Sequence, residues 1–290
     1  MPSRRPRRAP GPASHKKRAA ATEAAAPSSE DVPRFTPLDA LAGPSAPLIA
    51  LRYRTAASQH AALARLEAFY EGAGAPRNEY VTLAGVKELR GGLCRNYEAF
   101  NLPLDAVHRW LAALRTVEAI ADEPQWWRPF CNDEENELLA HLDGAGALHS
   151  LSGAGAGGDD DVAPGAVSPA ADASASPSPA QGPARPLYVI SVLSLAALPH
   201  ELSHALFYLS PVFARAAGAA WDGLPRKSRS IIEHDLRLRG YAPEVWVDEF
   251  QAYIAENDAE FGQAARAACA EAEQELSAAR RQAKIDIGVP

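Results

Sequence analysis

Two histidines and a glutamate in one short segment have the spacing of a zinc-binding helix. The segment reads His200-Glu201-Leu202-Ser203-His204. Residues four apart project from the same face of a helix, so both imidazoles can bind one metal ion. Glu201 is offset from them by about 100° and can hold a water molecule beside that ion. The spacing therefore predicts a zinc site formed by His200 and His204, with Glu201 as the general base of a hydrolytic reaction.

Two adjacent acids downstream are the best candidates for a third ligand, which a catalytic zinc ion needs in addition to an open position for water. They are Asp248 and Glu249, and Glu249 lies 45 residues after His204. Neighbouring helical residues point about 100° apart, so only one acid is expected to face the metal. Glu249 is favoured because its longer side chain bridges two packed helices more easily. The alternative is an ordinary acidic helix N-terminus that faces the helix dipole.

The residues around the motif are apolar on nearly all sides of the predicted helix, as in a buried helix. They are Leu195, Leu198, Leu202, Ala205, Leu206, Phe207 and Leu209. Burying two histidines and a carboxylate without partners would cost several kcal/mol, and binding a divalent cation offsets that cost. The alternative interpretation is a core histidine pair whose ring nitrogens are satisfied by hydrogen bonds.

Three polar side chains are candidates to stabilise the negative charge that develops on a scissile carbonyl oxygen. Tyr253 follows Glu249 by one helical turn, so its candidacy rests on spacing. Tyr241 and His234 are candidates by residue type alone. Each of the three side chains is more often structural than catalytic.

Composition divides the chain into four segments. Residues 1–45 are a basic leader without apolar periodicity and are predicted to be disordered. Residues 46–142 are predicted to form a helical N-terminal subdomain, and residues 143–186 a disordered Gly/Ala/Ser/Pro insertion. Residues 187–290 carry the motif and are predicted to form the metal-binding domain with its C-terminal helix.

Apolar periodicity and the positions of Gly and Pro predict the elements of the folded segments. Pro199 should lie in the first turn of its helix, where its missing N–H has no helical partner, and Gly240 should end a helix. The predicted strands are 48–53 and 187–193. The predicted helices are 58–70, 101 to before Pro124, 133–141, 196–217, 225–239, 244–260 and a polar outer helix towards Lys284.

Charge is distributed unevenly along the chain. The net charge is −7, yet seven of the 29 Lys and Arg residues lie in residues 1–18, and no acid precedes Glu23. The rest of the chain therefore carries a net charge of −14, which argues against nucleic-acid binding by the folded body. The basic leader is compatible with binding to polyanions, with organellar or nuclear import, or with a tail that has no targeting role.

Cysteine usage and hydropathy indicate an intracellular, soluble protein. The three cysteines have no CxxC spacing, so neither a disulfide framework nor a thiolate zinc cluster is expected. The most apolar stretch, at 187–198, is too short for a membrane span, and no secretory signal is visible. We therefore expect a cytoplasmic or nuclear protein, with organellar import as a further option.

The region 187–257, roughly a quarter of the chain, resembles the gluzincin group of the zincin metallopeptidases. The resemblance rests on His200, Glu201, His204 and Glu249, in a strand, a helix with HExxH and a separate helix with a glutamate ligand. It implies an α+β, mostly helical fold in which a small sheet packs on the HExxH helix. It also implies that residues 188–194 form a sheet edge on which extended peptide substrates lie.

The same resemblance implies hydrolysis of a peptide or protein substrate. Zinc would polarise the scissile carbonyl, and Glu201 would take a proton from water and deliver it to the leaving amine. Two positions depart from the family pattern. Tyr253 stands where several gluzincins have an aspartate that orients a histidine, and Phe207 stands where a glycine often follows HExxH.

Two other functions fit the same residues. One is metal-dependent hydrolysis of a non-peptide amide, and the other is a binding or regulatory protein with a structural zinc ion. Residues 96–101 place polar groups among aromatics and favour a turn with a helix cap over a cleft lining. The aromatic cluster at 126–130 favours a role in the core over substrate binding.

Overall fold

The sheet joins strands that lie far apart in the sequence. The computed structural model describes residues 32–39, 47–89, 92–94, 97–118, 124–148 and 187–289. Most of the predicted leader and insertion lies outside these residues, as do Asn96 and Ile120. Residues 35–37 of the predicted leader form a strand with the buried Phe35, so the prediction of disorder up to residue 45 is wrong there, because this segment pairs with a distant strand. From Arg34 onward, the described residues form a mostly helical unit with a four-stranded mixed sheet.

Helices outnumber strands among the described elements. The strands are β1 (Phe35–Pro37), β2 (Leu48–Tyr53), β3 (Ala99–Pro103) and β4 (Tyr188–Val192). The helices of the described residues are α1 (Ala56–Glu71), α2 (Leu83–Glu88), α3 (Leu104–Glu118), α4 (Asp133–Gly144), α5 (Leu198–Leu209), α6 (Pro211–Gly223), α7 (Arg226–Arg239), α8 (Trp246–Glu256) and α9 (Arg266–Asp286). Short 3₁₀ turns at Leu195–Ala197 and Pro243–Val245 lead into α5 and α8.

The strand before the motif helix lies inside the sheet. The strand order is β1-β2-β4-β3, with β2 parallel to β4 and both outer pairs antiparallel. The expectation that residues 188–194 form a sheet edge is therefore wrong. The edge beside β4 is β3, because its backbone pairs antiparallel with β4 and places Asn101 opposite Ile190.

Both faces of the sheet are buried, because side chains alternate between two hydrophobic cores. Leu51 and Phe100 belong to the first core, with residues of α1, α3 and α4. Leu48 and Ile190 belong to the second core, with residues of α5, α6, α8 and α9. Trp127 is buried in the first core, as predicted for the aromatic cluster. Burial on two faces explains why β2 and β4 are nearly continuous apolar runs.

Local signals predicted several element ends correctly. Strand β2 has the predicted bounds, and α5 begins at Leu198, one residue before Pro199. Gly240 ends α7 with a φ of 97°, in the left-handed region that favours glycine. At α4, Asn132 and Glu135 form a capping box in which each side chain bonds the other residue's backbone N–H.

Two predicted helices differ in the structure. The helix predicted over 196–217 is two helices, because Ser210 is extended and its hydroxyl accepts from the N–H of Phe213 while Pro211 begins α6. The helix predicted to open at Asn101 begins at Leu104. Residues 99–103 form β3 instead, since their pairing with a distant strand outweighs their local preference.

The three cysteines are buried free thiols. Among the helices of the described residues, none has the length and apolar character that crossing a bilayer requires.

Candidate metal centre

Two packed helices bring the predicted ligands together. Helix α5 carries both histidines and α8 carries Glu249, and the two helices lie directly against each other. Ligand atoms of His200, His204 and Glu249 all lie within 4.8 Å of one another. These three residues are the ones that the sequence predicts as the metal ligands.

The spacing of these atoms is compatible with one zinc ion. The Nε2 atoms of the two histidines are 3.1 Å apart, and Nε2 of His204 is 3.9 Å from Oε1 of Glu249. Ligands of a tetrahedral zinc ion with bonds of about 2.0–2.2 Å are about 3.3–3.6 Å apart. The second oxygen of Glu249, Oε2, is buried and has no hydrogen-bond partner among the described residues. A cation at this position would satisfy it, so the residues fit a metal ion.

Asp248 contacts the opposite side of the His204 ring. Its Oδ1 lies 2.9 Å from Nδ1 of His204 and also accepts from Nε2 of Gln251 at 2.9 Å. The same Gln251 amide donates to the carbonyl of Ser203, so it ties α8 to α5. Because Nδ1 of His204 donates to Asp248, the lone pair of a neutral ring is on Nε2, which faces the other ligands. Asp248 thus orients a ligand, and Glu249 lies among the ligands.

His200 has a looser environment than His204. Within the part of the chain that the structure describes, its Nδ1 is buried without a hydrogen-bond partner, and Oε2 of Glu256 lies 3.6 Å away. Its ring packs edge-on against Tyr253, with ring centroids 4.7 Å apart. Tyr253 thus packs against the histidine ring at the position where several gluzincins have an orienting aspartate.

Glu201 is held by a residue of the sheet edge. Its side chain is on the same helix as both histidines, and the residue is 7% exposed. Its Oε2 accepts from Nδ2 of Asn101 at 3.0 Å, and Oδ1 of Asn101 accepts from the Tyr188 hydroxyl at 2.6 Å. This role of Asn101 was not predicted, because residues 96–101 favour a turn and cap. The signal was the alternation in Phe100-Asn101-Leu102, which is typical of a strand with one polar position.

Burial shifts the pKa values of both carboxyl groups upward. The pKa of Glu201 is raised to about 7, chiefly by desolvation, although His204 and the Asn101 hydrogen bond oppose the rise. The pKa of Glu249 is raised to about 8, again chiefly by desolvation and against the effect of His204. A carboxyl group with a pKa near neutrality can both accept and release a proton at physiological pH, as a general base and acid must.

The two histidines are shifted in opposite directions. Burial and the neighbouring His204 lower the pKa of His200 to about 3, so its ring is neutral at physiological pH. At His204, burial is outweighed by Asp248 and Glu249, which raise its pKa well above the ordinary value. A metal ion therefore finds a free lone pair on His200 and must displace a proton from His204.

Two of the three candidate oxyanion stabilisers have contacts at the candidate metal centre. Tyr253 contacts His200, and its hydroxyl lies 3.1 Å from that of Tyr241. Burial, together with the Glu249 carboxyl group, raises the pKa of Tyr241, and Arg239 lies over the Tyr253 ring, 4.6 Å from its centroid. The structure therefore brings both tyrosines beside the ligands. His234 is exposed on α7.

Comparison of the chain with models of protein families, with curated proteins and with solved structures found no match.

Proposed function

We propose that this protein is a zinc-dependent hydrolase whose best-supported substrates are peptide bonds. The observation that carries the proposal is the convergence of His200, His204 and Glu249, with Glu201 buried on the same helix. A zincin-like core is part of the proposal. It is supported by a small sheet that packs on the HExxH helix and by a separate helix that carries the glutamate.

The metal's contribution can be stated from its chemistry. Zinc bound by two histidines and a glutamate polarises a carbonyl group and lowers the pKa of water to about 7. The protein's contribution is to fix the ligands. Asp248 and Gln251 hold His204 in the tautomer that presents Nε2 to the ion.

Glu201 is the proposed general base. Asn101 donates to one of its carboxylate oxygens, which fixes the rotamer of the side chain. A pKa of about 7 allows Glu201 to take a proton from water and to deliver it to the leaving amine. Tyr253 is the proposed oxyanion donor. Tyr241, whose hydroxyl lies 3.1 Å from that of Tyr253, is the other candidate.

The proposed partner is a peptide or protein substrate that enters along β3, the sheet edge beside Glu201. An extended peptide pairs with a free strand edge through backbone hydrogen bonds. The proposed compartment is intracellular, cytoplasmic or nuclear. The three buried thiols support it, because free cysteines persist in a reducing environment.

The test combines metal analysis with a peptide-library cleavage assay. Wild type and Glu201→Gln are both expected to purify with about one zinc ion per chain. Cleavage by Glu201→Gln should fall by about 10²–10⁴, because a general base contributes that much. The matched control is Glu275→Gln, which removes an exposed acid on α9 and should leave cleavage unchanged.

Two results would contradict the proposal in different ways. Zinc without cleavage of any peptide would favour hydrolysis of a non-peptide amide. Zinc whose removal unfolds the chain, again without cleavage, would favour a structural ion. A purified protein without a stoichiometric transition metal would exclude all three functions.

A further inference from the structure

Tyr208 is a partly exposed aromatic residue in the last turn of the motif helix. It is 46% exposed and lies seven residues after Glu201. Seven residues make nearly two full helical turns, so both side chains project from the same side of α5. The two positions are about 10 Å apart along the helix axis. Tyr208 is therefore on the side of α5 that carries the proposed general base.

Direct contacts connect the Tyr208 ring to Glu201. The ring packs on that of Tyr188, with ring centroids 5.1 Å apart. The Tyr188 hydroxyl donates to Oδ1 of Asn101 at 2.6 Å, and Nδ2 of Asn101 donates to Oε2 of Glu201 at 3.0 Å. The exposed ring thus belongs to the same group of contacting side chains as the proposed base.

Two contacts hold the Tyr208 ring in place. The buried Tyr188 supports one side of the ring, and the Tyr208 hydroxyl donates to Oδ1 of Asp105 at 3.0 Å. Asp105 lies in the first turn of α3, directly after β3, so the hydroxyl bridges α5 to the end of the edge strand. A ring that is fixed before binding loses little conformational entropy when a ligand packs on it.

The pairing of β3 with β4 determines which backbone groups of the edge strand can bind a peptide. The Leu104 N–H donates to the carbonyl of Leu187, and backbone groups alternate in direction along an antiparallel pair. The N–H and C=O of Asn101 therefore point away from β4, towards the free edge. Pro103 has no N–H, so a peptide that pairs with Asn101 finds no further donor at Pro103.

The same register indicates which substrate side chain comes to Tyr208. Residues directly opposite each other in paired strands have side chains on the same face, and every second residue shares that face. A substrate residue that pairs with Asn101 thus faces α5, and so does the residue two positions along, beside Pro103. Tyr188 is opposite Pro103 on the other side of β3, and Tyr208 packs on Tyr188.

We propose that Tyr208 forms a subsite for a large apolar or aromatic side chain of the substrate, two residues from the one that pairs with Asn101. The exposed side of the ring packs on that side chain in a tilted or edge-on arrangement, which aromatic pairs prefer. Asp105 and Tyr188 position the ring. This inference rests on the proposed hydrolase function and adds the class of substrate that the site prefers.

The test uses fluorogenic decapeptides with a single Phe at successive positions, together with matched peptides that carry Ala instead. We expect kcat/KM of wild type to be at least ~10-fold higher for Phe than for Ala at one position, about 1.4 kcal/mol of discrimination. Tyr208→Ala should reduce this ratio towards one. Tyr208→Phe should keep most of it, because the ring still packs on Tyr188 without its bond to Asp105.

The matched control is Leu238→Ala, which removes an exposed apolar side chain from α7 and should keep the ratio of wild type. A wild type that cleaves Phe and Ala peptides equally at every position would overturn the inference. A ratio that Tyr208→Ala leaves unchanged, or that Leu238→Ala lowers as much, would also overturn it.

A binding measurement separates failure of this inference from failure of the hydrolase proposal. By titration calorimetry, Glu201→Gln should bind the Phe peptide more tightly than its Ala partner, even if no peptide is cleaved. The double variant Glu201→Gln/Tyr208→Ala should bind both peptides equally. Equal binding of the two peptides by Glu201→Gln itself would contradict the subsite.

Discussion

His204 has a carboxylate on each side of its ring, and these two contacts divide the roles of two adjacent acids. Asp248 lies at Nδ1, and Glu249 lies on the side of Nε2. Because neighbouring helical residues point in different directions, one can orient the ring while the other lies among the metal ligands. The orientation of His204 thus depends on a residue that does not itself belong to the ligand group.

The first prediction for single residues concerns Asp248. Asp248→Ala should weaken zinc binding by about 10–100-fold, because the ring of His204 loses the partner that fixes its tautomer. Competition with a chromogenic chelator measures the affinity. Glu256→Ala is the matched control, because Glu256 lies 3.6 Å from His200, beyond hydrogen-bond distance. Equal losses in both variants would contradict the role assigned to Asp248.

The second prediction concerns the stability of the metal-free protein as a function of pH. The unfolded chain ionises Glu201 near the ordinary pKa of 4.5, whereas burial keeps the proton in the folded chain until about pH 7. This raised pKa favours the folded state at low pH, and that contribution is lost as pH rises from 4.5 to 7. Glu201→Gln should therefore flatten the decline and be about 1 kcal/mol or more stable than wild type at pH 8.

Urea denaturation in the presence of EDTA, repeated from pH 4.5 to 8, measures this difference. A parallel pH dependence in both proteins would show that Glu201 does not titrate as its burial requires.

Among the helices, a buried ion pair joins α1 to α4 in the first core. Arg65 donates to both oxygens of Glu135, at 2.6 and 2.8 Å, and both side chains are nearly inaccessible to solvent. The guanidinium also lies 5.0 Å from the ring centroid of Trp110 and donates to the carbonyl of Val81. This pair holds α1 against the rest of the first core.

Removal of Arg65 should be strongly destabilising. Arg65→Met is expected to lower the free energy of unfolding by about 3–5 kcal/mol, because Glu135 would be left buried without its counter-ion. The double variant Arg65→Met/Glu135→Leu should recover part of that loss. Chemical denaturation of the three proteins measures both effects. A double variant that is less stable than the single variant would contradict an unpaired charge as the cause.

Across the molecule as a whole, the ligand group joins α5 to α8 inside a core that is already apolar. Residues such as Leu206 and Phe250 are fully buried there without any contribution from a metal. The first core lies on the other face of the sheet and contains none of the ligands. We therefore expect zinc to stabilise the fold without being required for it.

Metal removal tests this expectation. A zinc concentration of 100 times Kd should add about 2.7 kcal/mol to the free energy of unfolding. For a chain of this size, that corresponds to a rise in Tm of roughly 5–10 °C over the EDTA-treated protein. Differential scanning calorimetry measures the shift, and Glu249→Ala should abolish most of it. A metal-free protein without a cooperative transition would point instead to a structural ion.

Features that depend on short stretches of chain could be predicted from the amino-acid sequence alone. The HExxH spacing places two imidazoles on one face because a helix has a fixed period. Backbone preferences predicted the start of α5 from Pro199 and the end of α7 from Gly240. The apolar run at 48–53 predicted β2 in the same way. Glu249 could also be predicted as a ligand from the sequence, because two adjacent acids in a helix that looks buried are unusual.

Features that depend on pairing between distant segments became visible only in the folded chain. Asn101 meets Glu201 across 100 residues, because β3 takes the edge position beside β4. The same long-range pairing made a strand of residues 99–103, which local propensity assigned to a helix start, and moved residues 188–192 into the sheet interior. The order of the strands depends on how well each possible order buries both faces of the sheet. A short stretch of sequence does not contain that information.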